Sequence, residues 1–144
     1  MNRLQLLFLL FLNGIIFAQI EEDYTKYVNP LIGSDSSHEL SKGNTYPAIA
    51  LPWGMNFWTP QTGKMGDGWI YTHKNSGLVG IRQTHQPSPW INDYGAFSVM
   101  ATSGKLNVLE NQRKSKYKNL IVMPYYYKVK LIDFDINIEV SPTR

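Results

Sequence analysis

Side chains that could act directly on a substrate are few in this 144-residue chain. The three histidines, His38, His73 and His85, do not stand at a spacing from one another that suits a metal site. The chain has no cysteine, which excludes a thiolate zinc site, a disulfide framework and a cysteine nucleophile. No G-x-S-x-G motif supports a serine nucleophile, and no glycine-rich loop leading into a helix supports phosphate binding.

His85 is the histidine with the best placement for a ligand. It follows a strand candidate, Leu78 to Thr84, and begins a loop in which Pro87 and Pro89 restrict the backbone. Polar side chains at the end of a strand, beside a rigid loop, are well placed to contact a ligand. Lone histidines in β proteins are more often hydrogen-bonded structural residues, which is our expectation for the other two.

Two carboxylates lie among Trp, Gly and Pro in loops, where a binding pocket is plausible. Asp67 precedes Gly68, so we expect it to be a turn residue rather than a ligand. Asp93 lies in the loop after His85, where a role as ligand and a role as cap of its own loop fit equally well.

Aromatic residues are the strongest compositional signal, with four Trp, nine Tyr and six Phe. Trp and Tyr in loops can stack on the apolar faces of sugar rings, while Asn, Asp and His bond the hydroxyl groups. The alternative is a sandwich core, which also takes aromatic side chains. We expect Trp53 and Trp58 to lie in the core and Trp90 to lie in a site.

The formal net charge is +3, and basic residues cluster between positions 105 and 120. Lys105, Arg113, Lys114, Lys116 and Lys118 do not follow one helix face, and Tyr117 is the one aromatic residue among them. We therefore expect a solvated surface loop rather than a polyanion site, and no nucleic-acid partner.

Short strands account for the rest of the chain. Tyr127, Val129 and Leu131 alternate with lysines, as in a strand with one buried face. Near Asp133 the apolar phase flips to the even positions of 134–140, which a hairpin or bulge produces. Further strand candidates are residues 69–72, 78–84 and 94–101, and no segment between residues 20 and 144 keeps a helical period for three turns. The sequence predicts an all-β fold, an antiparallel β-sandwich.

The first 18 residues have the pattern of a secretory signal peptide. Arg3 gives a positive start, residues 4–17 are almost wholly apolar, and Ala18 is a small residue at the expected cleavage point. A membrane anchor is the alternative, but the apolar run is shorter than the roughly 20 residues that span a bilayer. We expect export to the periplasm or the extracellular space, with residues 19–144 as the mature domain and no membrane contact after cleavage.

Several motifs, found in the same order along residues 27–101, resemble the beginning of glycoside hydrolase family 92. They are Tyr27-Val28-Asn29-Pro30-Leu31-Ile32-Gly33, Gly43-Asn44-Thr45-Tyr46-Pro47-Ala48, Leu51-Pro52-Trp53-Gly54-Met55, Gly80-Ile81-Arg82-Gln83-Thr84-His85 and Asp93-Tyr94-Gly95. Two positions depart from the family pattern. Asn44 precedes Thr45 where many members have a His in a Gly-rich segment, and Gln86-Pro87-Ser88-Pro89-Trp90 replaces a loop with Ser-Gly and Gly.

The resemblance implies an exported α-mannosidase that removes terminal mannose with inversion and binds calcium. It also implies an N-terminal β-sandwich packed on a larger (α/α)6 barrel, which supplies the general acid, the general base and most calcium ligands. Residues 19–144 would then be an incomplete part of the sandwich, the barrel a missing partner, and the catalytic carboxylates absent from this chain. On this basis we expect His85, Trp90 and Asp93, and then Trp69, to contact a mannose-containing glycan.

Two other functions stay open on the sequence alone. Inverting hydrolysis requires two carboxyl groups about 6.5–9.5 Å apart, and the sequence does not support Asp67 and Asp93 as that pair. The chain could therefore be a carbohydrate-binding β-sandwich without catalysis, or an inactive truncated product.

Overall fold

A computed structural model describes residues 22–35, 37, 45–50, 57–64, 66–67, 69–84 and 97–142. The predicted signal peptide, residues 1–18, lies outside the described residues, and so do His38 and Trp53. Within the described ranges no helix is long and apolar enough to cross a membrane.

The described part is built from seven strands, all in antiparallel pairs, which confirms the prediction of an all-β fold. β1, β3 and β4 form one sheet in that order, and β2, β5, β6 and β7 form a second. Two short 3-10 helices, Tyr24–Tyr27 and Glu110–Gln112, are the helices of this part. The strands are β1 (Phe57–Gln61), β2 (Gly77–Leu78), β3 (Gly80–Thr84), β4 (Phe97–Val99), β5 (Ser115–Met123), β6 (Tyr126–Leu131) and β7 (Ile136–Val140).

Both sheets contribute side chains to one apolar core. Ile81 of β3 belongs to the first sheet, whereas Leu78 of β2 and the inward side chains of β6 belong to the second. Full burial of a Val, Leu or Ile side chain stabilises a fold by about 1.5–3 kcal/mol. The shared core therefore holds the two sheets together in a sandwich-like arrangement, and its buried members are Ile49, Leu78, Ile81, Tyr127, Val129 and Leu131.

The hairpin of β6 and β7 has the two faces that the sequence predicts. Tyr127, Val129 and Leu131 are buried, and the lysines between them point to the other face. Leu131 pairs with Ile136 across the four-residue turn 132–135, in which Asp135 has a φ of 54°. Asp tolerates this left-handed conformation better than most residues because its short polar side chain can bond locally. The turn places the apolar side chains of β7 on the same face as those of β6, which accounts for the change of phase in the sequence and confirms the predicted hairpin.

The expectation of a surface loop over residues 105–120 was wrong for its second half. Residues 115–120 belong to β5, whose lysines alternate with the less exposed Ser115 and Tyr117. Lys118 pairs with Lys130 and Ile121 pairs with Lys128, so two residues of β5 stand opposite Val129 alone. Asn119, with a φ of 54°, is the first residue of this β-bulge. The extra residue shifts the alternation by one position, which hid the strand in the sequence.

The predicted strand at residues 69–72 was also wrong. This segment is buried, but the structure assigns no strand to it. It is held instead by the residue that follows β1: the Thr62 backbone N–H donates to the Ile70 carbonyl at 3.1 Å, and the Thr72 backbone N–H donates to the Thr62 Oγ1 at 2.9 Å. Strand composition here reflects burial of large side chains and not ladder pairing.

Candidate functional site

One edge of the three-stranded sheet carries the ends of three strands. Phe57, the first residue of β1, pairs with Thr84, the last residue of β3, and Gln83 pairs with Phe97, the first residue of β4. The segments 51–56 and 85–96 therefore depart from adjacent strand ends at the same edge. These segments contain the Leu51–Met55 motif and the predicted contact residues His85, Trp90 and Asp93, which lie outside the described residues.

Two aromatic rings pack against each other at this edge. Trp58 of β1 and Phe97 of β4 are both paired with Gln83, and their ring centroids lie 5.6 Å apart with planes at 84°. Trp58 also packs against the shared core, and its backbone exchanges two hydrogen bonds with Ile49 at 2.8 Å each. Trp58, which we expected in the core, packs against it and is partly buried, and the ring pair braces the edge at which the segments 51–56 and 85–96 join the sheet.

Trp69, the remaining predicted contact residue, lies towards the other end of β1. Its neighbour Ile70 bonds Thr62, the residue after β1, and β1 rises about 13 Å from Phe57 to Gln61. The Trp69 side chain is only 2% exposed and packs edge-on against Tyr46, with ring centroids 5.6 Å apart. Its Nε1 is buried and has no hydrogen-bond partner. The described structure therefore does not bring Trp69 to the edge where Phe57, Thr84 and Phe97 lie. It leaves the buried indole N–H of Trp69 without an acceptor.

Asp67 and His73 have the structural roles that the sequence predicts. The Asp67 carboxylate accepts a hydrogen bond from the Lys64 backbone N–H at 2.8 Å, which closes the turn in front of Trp69. His73 Nδ1 lies 3.1 Å from the Tyr71 hydroxyl, and the His73 backbone N–H donates to the Ser34 carbonyl at 3.1 Å. Both side chains hold local structure together.

Three buried or half-buried tyrosines, Tyr71, Tyr117 and Tyr127, have hydroxyl groups close enough to influence one another's pKa. Burial raises the pKa of Tyr71 and Tyr127 far above the ordinary value of 10, and burial also raises that of Tyr117. The Tyr117 hydroxyl donates to the Asn75 carbonyl at 3.0 Å. Phenols with such raised pKa values stay protonated in the physiological range, so this cluster packs and donates hydrogen bonds and does not act as a base.

The carboxylates of the described part each have a structural partner. In these ranges no three His, Asp or Glu side chains come close enough to hold a metal ion. Calcium prefers six to eight oxygen ligands, so the described residues do not fit the calcium site that the resemblance implies. The carboxylate partners are Lys26 for Glu22, Thr25 for Asp23, Lys74 for Asp35, the Lys64 amide for Asp67, Gln61 for Glu110, the Lys116 amide for Asp133, Lys130 for Asp135 and Lys128 for Glu139.

A row of polar side chains that sequence reasoning missed crosses the three-stranded sheet. Thr59 of β1, Arg82 of β3 and Ser98 of β4 share one register position and one face, opposite to the face of Ile81. Arg82 is only 7% exposed, and neither its Nε nor the Ser98 Oγ has a hydrogen-bond partner. The available signal was an arginine alone in an otherwise uncharged strand, from Gly80 to Thr84.

Comparisons with known proteins agree on one family. Residues 27–144 match the family model described as the glycosyl hydrolase family 92 N-terminal domain. The solved structure of BT2199, an inverting mannosidase of family GH92 from Bacteroides thetaiotaomicron VPI-5482, is 46% identical over 88% of this chain, with a TM-score of 0.77. BT3965, a GH92 alpha-mannosidase of Bacteroides thetaiotaomicron, is 25% identical over 85% of the chain, with a TM-score of 0.65.

The BT3965 enzyme has also been solved in complex with mannoimidazole; that structure is 26% identical over 85% of this chain, with a TM-score of 0.67. This chain spans 17% of the length of each of these mannosidases. The comparison with curated proteins found no match.

Proposed function

Since the chain belongs to the family of glycosyl hydrolase family 92 N-terminal domains, we propose that it is the N-terminal part of an exported, exo-acting α-mannosidase that hydrolyses terminal mannose of glycans with inversion. The observation that carries this proposal is the 46% identity to an inverting mannosidase over 88% of the chain. Relatives at this identity usually keep their fold, and shared chemistry is what we propose on that basis. Export rests on the signal-peptide pattern of residues 1–18.

The contribution of this part is contact with the sugar. His85, Trp90 and Asp93 follow β3 at the edge where β1, β3 and β4 end together, so a rigid sheet supports the loop that carries them. An indole ring stacks on the apolar face of a sugar, and imidazole and carboxylate groups bond its hydroxyls. Trp69 takes a secondary role, in which its buried and unpartnered Nε1–H donates to an acceptor of the glycan.

Catalysis belongs to a larger C-terminal part, the (α/α)6 barrel. Inversion requires an acid and a base about 6.5–9.5 Å apart, with room for a water between them and the sugar. Each carboxylate of the described residues is engaged in a local contact, and the mannosidases that match are much longer than this chain. The barrel would supply these two carboxyl groups and the ligands of a calcium ion.

A chimera tests the sugar contacts. Residues 27–144 replace the matching region of the inverting mannosidase from Bacteroides thetaiotaomicron, and the rate of mannose release from an α-mannoside is measured. We expect His85→Ala and Asp93→Ala, which each lose a hydrogen bond to the sugar, to lower kcat/KM by at least about tenfold. Trp90→Ala, which loses ring stacking, should lower it by a similar factor. Trp69→Phe, which removes the N–H together with part of the ring, should have a smaller effect, because its proposed contact is secondary.

The matched control is His73→Ala, since the side chain of this histidine contacts the Tyr71 hydroxyl and is not part of the segment 85–96. Full activity in all three loop variants would contradict the proposed contacts. Glycan binding without turnover, in a chimera that is folded by circular dichroism, would favour the alternative of a non-catalytic carbohydrate-binding module.

A further inference from the structure

The face of the three-stranded sheet that points away from the core presents hydrogen-bond donors in a row. Thr59, Arg82 and Ser98 lie side by side on β1, β3 and β4. Neighbouring side chains on a sheet face begin about 5 Å apart, so Arg82 has a hydroxyl-bearing residue on either side of it in the row. The Thr59 hydroxyl makes only one long contact, to the Pro60 carbonyl at 3.4 Å.

Arg82 has no ion-pair partner among the residues that the structure describes. The carboxylates of those ranges are engaged elsewhere. The other side chains on its face, Phe57, Gln61 and Thr84, are uncharged, and the carboxylate of Glu110 reaches this face at Gln61, whose Nε2 donates to it at 3.0 Å. Arginine is almost never this deeply buried unless it is paired, because removal of a charge from water costs several kcal/mol.

Gly80 makes the space that the Ser98 hydroxyl occupies. A Cβ atom at position 80 would lie 2.2 Å from the Ser98 Oγ, so no other residue fits there without movement of that hydroxyl. The Ser98 Oγ is buried and has no hydrogen-bond partner. The glycine thus leaves room for an unused hydroxyl donor on the same sheet face as Arg82.

We propose that Arg82, Ser98 and Thr59 form a binding site for an oxyanion on the face of the β1–β3–β4 sheet that points away from the core. The guanidinium fork matches the geometry of a carboxylate or phosphate group, to which it donates two parallel hydrogen bonds. The Ser98 hydroxyl donates a third. The site does not depend on the proposed mannosidase activity, since it consists of residues of this chain alone.

Nuclear magnetic resonance of the full chain tests the site through the Arg82 Nε–Hε signal, with inorganic phosphate as the probe at constant ionic strength. We expect a saturable shift of this signal. Arg82→Gln should abolish binding, and Arg82→Lys, which keeps the charge and loses the fork, should weaken it by about tenfold or more. Ser98→Ala should weaken it less. Lys105→Gln is the matched control, because it removes the same charge from an exposed site.

Further arms distinguish the source of the oxyanion. Mannose 6-phosphate and inorganic phosphate are titrated in parallel, with mannose as the neutral control. Tighter binding of the phosphorylated sugar than of phosphate indicates an acidic glycan substituent, and equal binding indicates the free anion; either result supports the site. An Arg82 signal that responds to neither phosphate compound overturns it. Phosphate binding that persists in Arg82→Gln, followed in that variant through the backbone amide signal of Ser98, overturns it as well. The wild-type titration alone decides between these outcomes if the variants do not fold.

Discussion

Trp58 and Phe97 meet edge to face across the central strand β3, with their ring centroids 5.6 Å apart, although they lie on strands that are not neighbours. Gln83 stands between their backbones as the register partner of both. The pair thereby couples the start of β1 to the start of β4. The segments 51–56 and 85–96 leave the sheet beside these residues, so the pair braces the edge that is proposed to carry the sugar-contacting loop.

Loss of this aromatic pair should destabilise the fold modestly. We expect Phe97→Ala to lower the free energy of unfolding by about 1–2 kcal/mol, because an edge-to-face pair contributes about 0.5–1.5 kcal/mol beyond its buried area. Val99→Ala, on the same strand and face and similarly exposed, is the control and should cost less. Urea unfolding measures both. A double-mutant cycle with Trp58→Ala that shows no coupling would contradict the pair.

Gly80 should be intolerant of a side chain as long as Ser98 is present. The Cβ of Gly80→Ala would lie 2.2 Å from the Ser98 Oγ and 3.1 Å from the Val99 carbonyl oxygen. We expect a loss of about 1–3 kcal/mol in unfolding free energy, the usual cost of overpacking. Removal of the hydroxyl in the double variant Gly80→Ala, Ser98→Ala should recover most of it. Equal losses in the single and the double variant would place the strain elsewhere.

Truncation to Ala should destabilise the fold much more on the buried face of the β5–β6 pair than on its exposed face. Leu131 is fully buried in the shared core, so Leu131→Ala should cost about 2–5 kcal/mol through lost burial and a residual cavity. Ile121 on β5 is 43% exposed, and Ile121→Ala should cost less than about 1 kcal/mol. Thermal and urea unfolding compare the two. A similar cost for both would contradict the assignment of the buried face.

The ion pair between Lys128 and Glu139, on the outer face of the β6–β7 hairpin, should be lost in acid. The Lys128 ammonium, 2.6 Å from the carboxylate, lowers the pKa of Glu139 from its ordinary 4.5. A lowered folded-state pKa means that the stabilisation is present above the unfolded pKa and is lost as the pH falls through the folded one. We expect Lys128→Met to raise the Glu139 pKa in a carboxyl-carbon titration by nuclear magnetic resonance, while Lys105→Met leaves it unchanged. An unchanged pKa in Lys128→Met would show that the ion pair does not persist in solution.

The sequence predicts the hairpin of β6 and β7 well because side-chain alternation is unbroken within each strand and changes phase only at the turn. It predicts β5 poorly because Asn119 adds one residue to the strand, and a period of two cannot be followed through a bulge. At 69–72 large apolar side chains are buried without strand pairing, and composition alone cannot separate these two cases.

The candidate site shows the same limit. The turn role of Asp67 follows from the dipeptide Asp67-Gly68, because the bonding partner is local in sequence. The row of Thr59, Arg82 and Ser98 joins three strands that are far apart in sequence, and only the register of the sheet brings the residues together. The meeting of strand ends at Phe57, Thr84 and Phe97 depends on the same register, so no local pattern could predict it.

Mannose release tests the central claim most directly. The 144-residue chain and the chimera that joins residues 27–144 to the remainder of the inverting mannosidase are assayed on the same α-mannoside with calcium present. We predict no turnover by the chain alone, and turnover by the chimera with β-mannose as the first product detected by nuclear magnetic resonance. Turnover by the chain alone, or a folded chimera that releases no mannose, would contradict the account.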